Sequence, residues 1–287
     1  MRLDSGTLFV VATPIGNLSD LAPRARQILE NVDLIAAEDT RHTGRLLSHF
    51  GINTRQIALY DHNEEAVVST LISTLKKGKS VALVSDSGTP LISDPGYRVV
   101  SAAHTEKIPV SPIPGASAVT AALSAAGLPT DRFCFEGFLP RKKTARVNRL
   151  KELREEPRTI VFYESVHRIE DTLKDLNTVL GAGRKAFVGR ELSKVHEQCV
   201  AASLGELEDM IRMDQLAVKG EFVLVVEGDR DADVDTVTID VDELIAEVSA
   251  ALPAGQTADL VSSLTGRRRN EIYRLILAGK SDFRHPD

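Results

Sequence analysis

The stretch Val81-Ala82-Leu83-Val84-Ser85-Asp86-Ser87-Gly88-Thr89-Pro90 decides the fold, because an apolar run ends directly in a turn of small residues. An uninterrupted run of four aliphatic residues is typical of a strand that is buried on both faces. In α/β proteins, ligands bind beyond the carboxyl ends of such strands. The sequence therefore predicts a parallel sheet with a binding site after residue 84.

Two other stretches repeat this pattern, and the three turns are named here loop 1 (residues 13–17), loop 2 (residues 85–90) and loop 3 (residues 112–118). Glycine lets a ligand approach the main chain closely, and proline fixes the path of the chain. Together the loops predict a pocket lined by backbone, whereas each loop alone is equally compatible with an ordinary turn. None contains a Walker or Gly-x-Gly-x-x-Gly motif, so they give no support for ATP or NAD.

Strand and helix patterns alternate along the first 118 residues, which predicts an N-terminal α/β domain (residues 1–118) with a mostly parallel sheet between helices. Its predicted strands lie near residues 7–12, 32–37, 56–60, 80–85 and 107–111, and its helices near 20–30, 42–50, 63–77 and 94–106. Residues 119–228 form a predicted second α/β domain that completes the ligand cleft. Its later strands have short connections, which favours a mixed or largely antiparallel sheet.

An acidic linker is predicted at residues 229–240, followed by a small helical module at residues 241–287. Two of the three predicted helices of the module flank Thr265-Gly266-Arg267, which indicates a helix-turn-helix. The alternative is a helical cap that packs on the rest of the chain.

The composition is that of a soluble globular protein: 287 residues, 43% apolar, 26% charged, with a net charge of −6. No apolar run approaches the roughly 20 residues that span a bilayer, and the N-terminus lacks a signal-peptide pattern. Cys134 and Cys199 are predicted to be buried free thiols in a reducing cytoplasm. No Cys/His cluster has metal-ligand spacing, so no metal is predicted.

Positive charge is concentrated in two segments in spite of the net negative charge. Residues 141–154 carry seven basic side chains against one acid, and Arg267, Arg268 and Arg269 form a second cluster. Lys and Arg dominate phosphate binding, so both segments are candidate nucleic-acid contacts, with a solvated surface as the alternative. The candidates in the first segment are Lys142, Lys143, Arg146 and Arg149.

Longer motifs resemble one bacterial family, in consistent order along residues 7–228. The motifs are Val11-Ala12-Thr13-Pro14-Ile15-Gly16-Asn17-Leu18, Ala36-Ala37-Glu38-Asp39-Thr40-Arg41-His42-Thr43, Asp86-Ser87-Gly88-Thr89-Pro90-Leu91-Ile92-Ser93-Asp94-Pro95-Gly96-Tyr97 and Pro112-Ile113-Pro114-Gly115-Ala116-Ser117-Ala118. Shorter matches follow at Gly137-Phe138-Leu139-Pro140, Tyr163-Glu164-Ser165 and Arg190-Glu191-Leu192-Ser193-Lys194. The family is that of the 16S ribosomal RNA ribose 2′-O-methyltransferases, small-subunit methyltransferase I, which have the tetrapyrrole-methylase fold.

This resemblance implies that S-adenosylmethionine lies folded between the two domains and contacts the main chain of the three loops. It also implies a cytoplasmic homodimer that acts on the small ribosomal subunit. The implied cofactor-binding residues are Pro14, Gly16, Asp86, Gly88, Thr89, Pro90, Ser117, Ala118 and Tyr163.

Candidate catalytic residues follow the predicted strand at residues 32–37, at the same sheet edge as the loops: Glu38, Asp39 and His42. A carboxylate beside an arginine stays ionised, and histidine titrates near neutral pH. The alternative is a helix N-terminus that Asp39 or Thr40 caps. Further candidate RNA contacts at strand ends are Arg41 and His62.

The resulting prediction is S-adenosylmethionine-dependent 2′-O-methylation of a cytidine ribose in 16S ribosomal RNA, as in the family that acts on the decoding-centre cytidine. One alternative is a tetrapyrrole or corrin methylase of the same fold, although a small ring needs neither the basic segment nor the helical module. The other is a non-catalytic RNA-binding protein of ribosome assembly.

Overall fold

The computed structural model describes residues 6–60, 64–229 and 240–281. The chain divides into two compact units, Met1–Asp233 and Val234–Asp287. Most of the predicted acidic linker lies outside the described residues, as does His62. The predicted division of the larger unit into two domains at residue 118 stays a prediction.

The first sheet of the larger unit is parallel throughout, with strand order β3-β2-β4-β1-β5. Its strands are β1 (Leu8–Val11), β2 (Leu34–Ala37), β3 (Gln56–Ala58), β4 (Val81–Val84) and β5 (Val110–Ile113). Its helices are α1 (Pro23–Asn31), α2 (Thr40–His49), α3 (Glu64–Lys76) and α4 (Tyr97–Thr105). Successive residues of β4 pack into hydrophobic clusters on opposite faces, as the uninterrupted apolar run predicts.

The second sheet is mixed, as predicted, with strand order β6-β7-β10-β8-β9. Its strands are β6 (Phe133–Phe138), β7 (Thr159–Ser165), β8 (Lys185–Arg190), β9 (Gln198–Ser203) and β10 (Glu221–Val226). Only β6 and β7 run parallel, and the other pairs are antiparallel. Helix α5 (Ala118–Ala125) leads from the first sheet to the second. Helices α6 (Lys143–Glu152) and α7 (Ile169–Leu180) pack against the second sheet. These features confirm the predicted α/β fold class.

Helix α8 (Leu204–Arg212) was missed by the sequence analysis. Ser203 begins it with a capping box, in which Ser203 accepts the Glu206 N–H and Glu206 accepts the Ser203 N–H. The pattern Ser-x-x-Glu before an apolar face is the signal that would have predicted this helix.

One cysteine prediction is wrong, because Cys199 is exposed. It lies on β9, an edge strand, where side chains alternate between the core and solvent. Cys134 is half-buried, and burial raises the pKa of its thiol to about 11.

The smaller unit contains the three predicted helices, α9 (Val241–Ala251), α10 (Ala254–Thr265) and α11 (Arg269–Ser281). Ile245, Ala258, Val261, Ile272 and Ile276 form its core. Gly266 ends α10 with a φ of 70°, a left-handed conformation that glycine adopts without a steric penalty. This turn between α10 and α11 fits the predicted helix-turn-helix.

The prediction that Arg146 contacts RNA is wrong. Its side chain is 3% exposed, and its Nε donates a 2.8 Å hydrogen bond to Oδ2 of Asp175. Arg146 lies one helical turn before the buried Leu150, so both point from α6 into the interior. The ion pair joins α6 to α7 and leaves this guanidinium no access to a phosphate.

Replacing Arg146 by alanine is expected to lower the free energy of unfolding by about 3–5 kcal/mol, because the Asp175 carboxylate would remain buried without its partner. Urea unfolding followed by circular dichroism measures this loss. Lys143→Ala, on the exposed side of the same helix, is the matched control and is expected to change stability by less than about 0.5 kcal/mol. Equal stability of the Arg146→Ala protein and the parent would contradict the assignment.

Candidate active site at the ends of the parallel strands

The three predicted loops meet in space, because β4, β1 and β5 are neighbours in the sheet. Thr13 and Gly88 exchange two backbone hydrogen bonds of 2.9 and 3.1 Å, which join loop 1 to loop 2. The Thr89 hydroxyl donates a 3.1 Å hydrogen bond to the Ala116 carbonyl, which joins loop 2 to loop 3. The loops therefore form one connected rim.

Gly88 supports this rim through its conformation. Its φ is 81°, and an added Cβ would lie 3.2 Å from Cγ2 of Ile15. Its N–H and C=O are both bonded to Thr13, so these groups are not available to a ligand. Gly88 thus shapes the cavity wall without offering its own backbone polar groups.

Two cavities border loop 1, and Ile15 lines both. The first, named here the Tyr163 cavity, has a volume of about 320 Å³, and the second, the His42 cavity, has a volume of about 290 Å³. Predicted cofactor residues that line the Tyr163 cavity are Gly88, Thr89, Ser117, Ala118 and Tyr163. Those that line the His42 cavity are Pro14, Gly16 and Asp86. Pro90 is buried and lines neither of the two.

Two hydrogen bonds to carboxylates join the segment after β2 to loop 2. Oδ1 of Asp86 accepts the Asp39 N–H at 3.0 Å, and Oε2 of Glu38 accepts the Asp86 N–H at 3.4 Å. Of the predicted catalytic residues, Glu38 therefore contacts loop 2, whereas His42 faces the His42 cavity.

Asp39 serves as the N-cap of α2, which was the structural alternative. Its Oδ1 accepts the Arg41 N–H at 2.8 Å, and its Oδ2 lies 2.8 Å from Nη2 of Arg41. Hydrogen bonds from Arg41 hold the pKa of Asp39 well below its usual range, which makes it a weak proton acceptor. The Arg41 side chain is 87% exposed, so it can still face a substrate.

Asp94 follows a strained backbone segment after loop 2. Leu91 and Ser93 have φ values of 73° and 70°. This left-handed conformation is energetically unfavourable for any residue other than glycine. Gly96 then packs against β4, where an added Cβ would lie 2.9 Å from Cδ2 of Leu83. This path places Asp94 in the wall of the Tyr163 cavity.

Asp94 is the residue of this site that the sequence analysis missed. Burial, the largest cause, raises the pKa of Asp94 to about 6 together with the negative charge of Glu38 and, to a smaller extent, that of Asp86. A hydrogen bond with Ser85 opposes these effects. A carboxyl group with a pKa near 6 in a cavity is suited to accept a proton at neutral pH.

Tyr163 also lines this cavity and lies among aromatic rings. Its ring centroid is 4.9 Å from that of Phe135 and 5.7 Å from that of Phe138, both in edge-to-face geometry. Burial and the charge of Asp94 raise the pKa of Tyr163 to about 12, so its hydroxyl keeps its proton. Tyr163 can donate a hydrogen bond but is not a base at neutral pH.

The second sheet closes the His42 cavity with an ion-pair network. Nζ of Lys194 lies 2.9 Å from Oε1 of Glu191 and 3.0 Å from Oε2 of Glu221. The Lys194 side chain lies against Gly16, where an added Cβ would be 2.3 Å from its Cγ. Glu191 and Lys194 therefore form a structural ion pair beside the His42 cavity.

The remaining basic candidates differ in their availability. Lys142 and Lys143 are exposed at the start of α6, whereas Arg149 pairs with Glu136 and Glu152 at 2.7 Å. Candidates in the smaller unit lie at or just before the start of α11: Arg267, 3.8 Å from Glu271, Arg268, and Arg269, which pairs with Asp259.

Within the described ranges, no group of three or more His, Cys, Asp or Glu side chains is placed to hold a metal ion. Over the same residues, no helix is both long enough and apolar enough to cross a bilayer.

Comparisons with known proteins identify the family and the fold. Residues 7–208 match the model of the Tetrapyrrole (Corrin/Porphyrin) Methylases, and residues 235–280 match that of the RsmI C-terminal HTH domain. Uroporphyrin-III C-methyltransferase from Thermus thermophilus, solved in complex with S-adenosylhomocysteine, has the same fold: the TM-score is 0.53 at 17% identity, over 77% of this chain and 97% of that one.

Two similar relatives carry the name ribosomal RNA small subunit methyltransferase I. The protein from Escherichia coli is 49% identical over 272 residues, which cover 95% of each chain. The protein from Xylella fastidiosa is 50% identical over 268 residues, which cover 93% of this chain and 98% of the relative. The chain therefore belongs to the ribosomal RNA small subunit methyltransferase I family, within the tetrapyrrole methylases.

Proposed function

We propose that this protein transfers a methyl group from S-adenosylmethionine to the 2′-hydroxyl of a cytidine ribose in 16S ribosomal RNA, with Asp94 as the proton acceptor. Family membership supports the methylation of ribosomal RNA. The observation that carries the chemical part is the position of Asp94: a carboxyl group with a raised pKa lies in the wall of the cavity that the predicted cofactor loops form.

The cavity fits the proposed cofactor in size and chemistry. Ile15 and Leu192 contribute apolar residues to the lining of the Tyr163 cavity, and Thr89 of loop 2 and Ser117 of loop 3 contribute polar ones. Ligand sites of this kind combine an apolar lining with a few convergent polar groups. Bound S-adenosylmethionine supplies a methyl group that its sulfonium already activates. The fold neighbour solved with S-adenosylhomocysteine further supports this cofactor.

Asp94 contributes to the transfer by removing one proton. The ribose 2′-oxygen forms a bond to the methyl carbon, the bond from that carbon to sulfur breaks, and S-adenosylhomocysteine is released. The hydroxyl proton passes to the Asp94 carboxylate. The rest of the rate enhancement comes from alignment of the two reactants by the loops.

Several other ionisable groups lie near Asp94. Tyr163 faces it from β7 and stays protonated, and Glu38 and Asp86 face it from the ends of β2 and β4. Two further carboxylates line the Tyr163 cavity: Glu164, which pairs with Arg168 at 2.7 Å, and Glu221, which pairs with Lys194. Asp94 is therefore the carboxyl group assigned to proton transfer.

The RNA surface in this proposal includes Lys142 and Lys143, the exposed Arg41, and the arginines of the smaller unit. Such cations are what phosphate binding requires. The proposal also includes a cytoplasmic homodimer, in which two protomers present a larger basic surface than one.

The function is tested with small-subunit particles from a strain that lacks this enzyme. Particles incubated with the protein and S-adenosylmethionine are digested to nucleosides, and mass spectrometry identifies the methylated product. We expect 2′-O-methylcytidine. A base-methylated nucleoside, or no product, would contradict the proposal.

Replacing Asp94 by asparagine is expected to lower kcat at least about 100-fold, the usual contribution of a general base. The Kd for S-adenosylhomocysteine, measured by calorimetry, should stay within about twofold of the parent value. The variant should also unfold at a higher temperature at pH 7. Because the folded pKa lies above the ordinary value for aspartate, the ionised carboxylate destabilises the folded protein at neutral pH, and the amide removes that charge.

Asp209→Asn, an exposed position on α8, is the control, and both activity and melting temperature should remain as in the parent. If Asp94→Asn keeps its kcat, Asp94 is not the proton acceptor. If instead the variant loses S-adenosylhomocysteine affinity, the residue belongs to the cofactor site.

Replacing Lys142 and Lys143 together by alanine is expected to raise the KM for the particles and leave kcat unchanged. The reason is that phosphate contacts stabilise the bound ground state and the transition state equally. The slope of log KM against log salt concentration should fall by about 0.7–0.9 for each phosphate that the variant no longer neutralises. Lys76→Ala and Lys174→Ala, each on another helix, are the matched single-site controls. An unchanged salt slope in the double variant would show that the two lysines are only solvated.

A further inference from the structure

Phe138 is an aromatic side chain that the cavity wall leaves largely uncovered. It lines the Tyr163 cavity, and 55% of its surface is exposed. Phenylalanine is among the residues most often buried, so this exposure next to a ligand cavity indicates a ligand contact. Its ring meets Tyr163 edge to face at 5.7 Å, which holds one side of the ring in a defined orientation.

A bulge in β6 directs this ring into the cavity. The register of β6 against β7 shifts between Phe135 and Gly137, and Gly137 has a φ of 63°. In a regular strand, residues 135 and 138 would lie on opposite faces of the sheet. The extra residue brings both rings onto Tyr163. An added Cβ on Gly137 would lie 3.4 Å from Oγ of Ser93, so the bulge also packs against the residue before Asp94.

Exposed cations follow Phe138 within a short, fixed stretch of chain. Leu139 is 3% exposed in the core, and its carbonyl accepts a 2.9 Å hydrogen bond from Nη1 of Arg168. Lys142 and Lys143 come next, at most about 18 Å from Phe138 along an extended chain. An aromatic ring next to cations is the arrangement with which proteins bind unpaired nucleotides, the ring stacking on the base and the cations holding phosphates.

We infer that Phe138 is the surface on which the target nucleobase stacks while its ribose lies beside Asp94. This inference rests on the proposed function, because it requires a nucleotide substrate. The Phe138 ring can stack on the target base only where that base is free of a stacking neighbour, as in a single-stranded loop. The exposed ring then supplies the stacking partner that such a base lacks.

The test compares three variants at this position on small-subunit particles. In Phe138→Ala and Phe138→Leu, kcat/KM should fall by about 5-fold to about 150-fold, the equivalent of removing one base–aromatic stack. Phe138→Tyr keeps an aromatic face and should retain activity within about threefold of the parent, since stacking needs only the ring. The Kd for S-adenosylhomocysteine should not change in any variant, and that measurement also verifies that each variant is folded.

Phe133→Ala is the matched control, because Phe133 is an exposed phenylalanine on the same strand, at the end away from the cavity. It should leave kcat/KM unchanged. Parent-like kcat/KM in Phe138→Ala would overturn the inference. So would a loss of S-adenosylhomocysteine affinity equal to the loss of kcat/KM, which would assign the ring to the adenine of the cofactor. A parent protein that is inactive on the particles would contradict the proposed function and this inference with it, whereas an active parent isolates the role of Phe138.

Discussion

The backbone pairing between Thr13 and Gly88 is the constraint on which the site depends. Parallel strands end at one edge of a sheet, but their loops diverge unless something joins them. Two hydrogen bonds join loop 1 to loop 2, and the Thr89 hydroxyl adds loop 3. The pairing requires the left-handed φ of Gly88. With the loops joined, their surfaces form part of the walls of the two cavities.

This rim also concentrates negative charge, and the chemistry proposed here depends on that concentration. Glu38 and Asp86 interlock through backbone N–H groups, and Asp94 lies close enough to both to feel their charges. Like charges near a partly buried carboxyl group favour its protonated form. The strained residues Leu91 and Ser93 hold Asp94 in this unfavourable place. Active sites commonly contain such strained arrangements, which lower the stability of the folded protein.

The sequence predicted the parts that depend on local pattern. The apolar runs gave the strands of both sheets, and the small-residue turns gave the three loops. Asp94 was missed because its raised pKa depends on burial and on Glu38, a residue distant in the chain. Its position also follows left-handed conformations at Leu91 and Ser93 that no residue type there signals. Arg146 was misassigned because the basic residues of the segment were counted without asking which face of the helix each one occupies. Its spacing of four residues from Leu150 places it on the buried face of α6. The bulge that exposes Phe138 likewise follows from pairing with β7, which a single strand does not reveal.

The pH dependence of single-turnover methyl transfer tests the central claim most directly. In the parent protein the rate should fall as pH decreases through about 6, because protonated Asp94 cannot accept the ribose proton. In Glu38→Gln, which keeps an oxygen for the Asp86 N–H but removes a negative charge, the same fall should occur at lower pH. A fall at the same pH in both proteins would contradict the account, because the titrating group would then lie outside the carboxylate cluster.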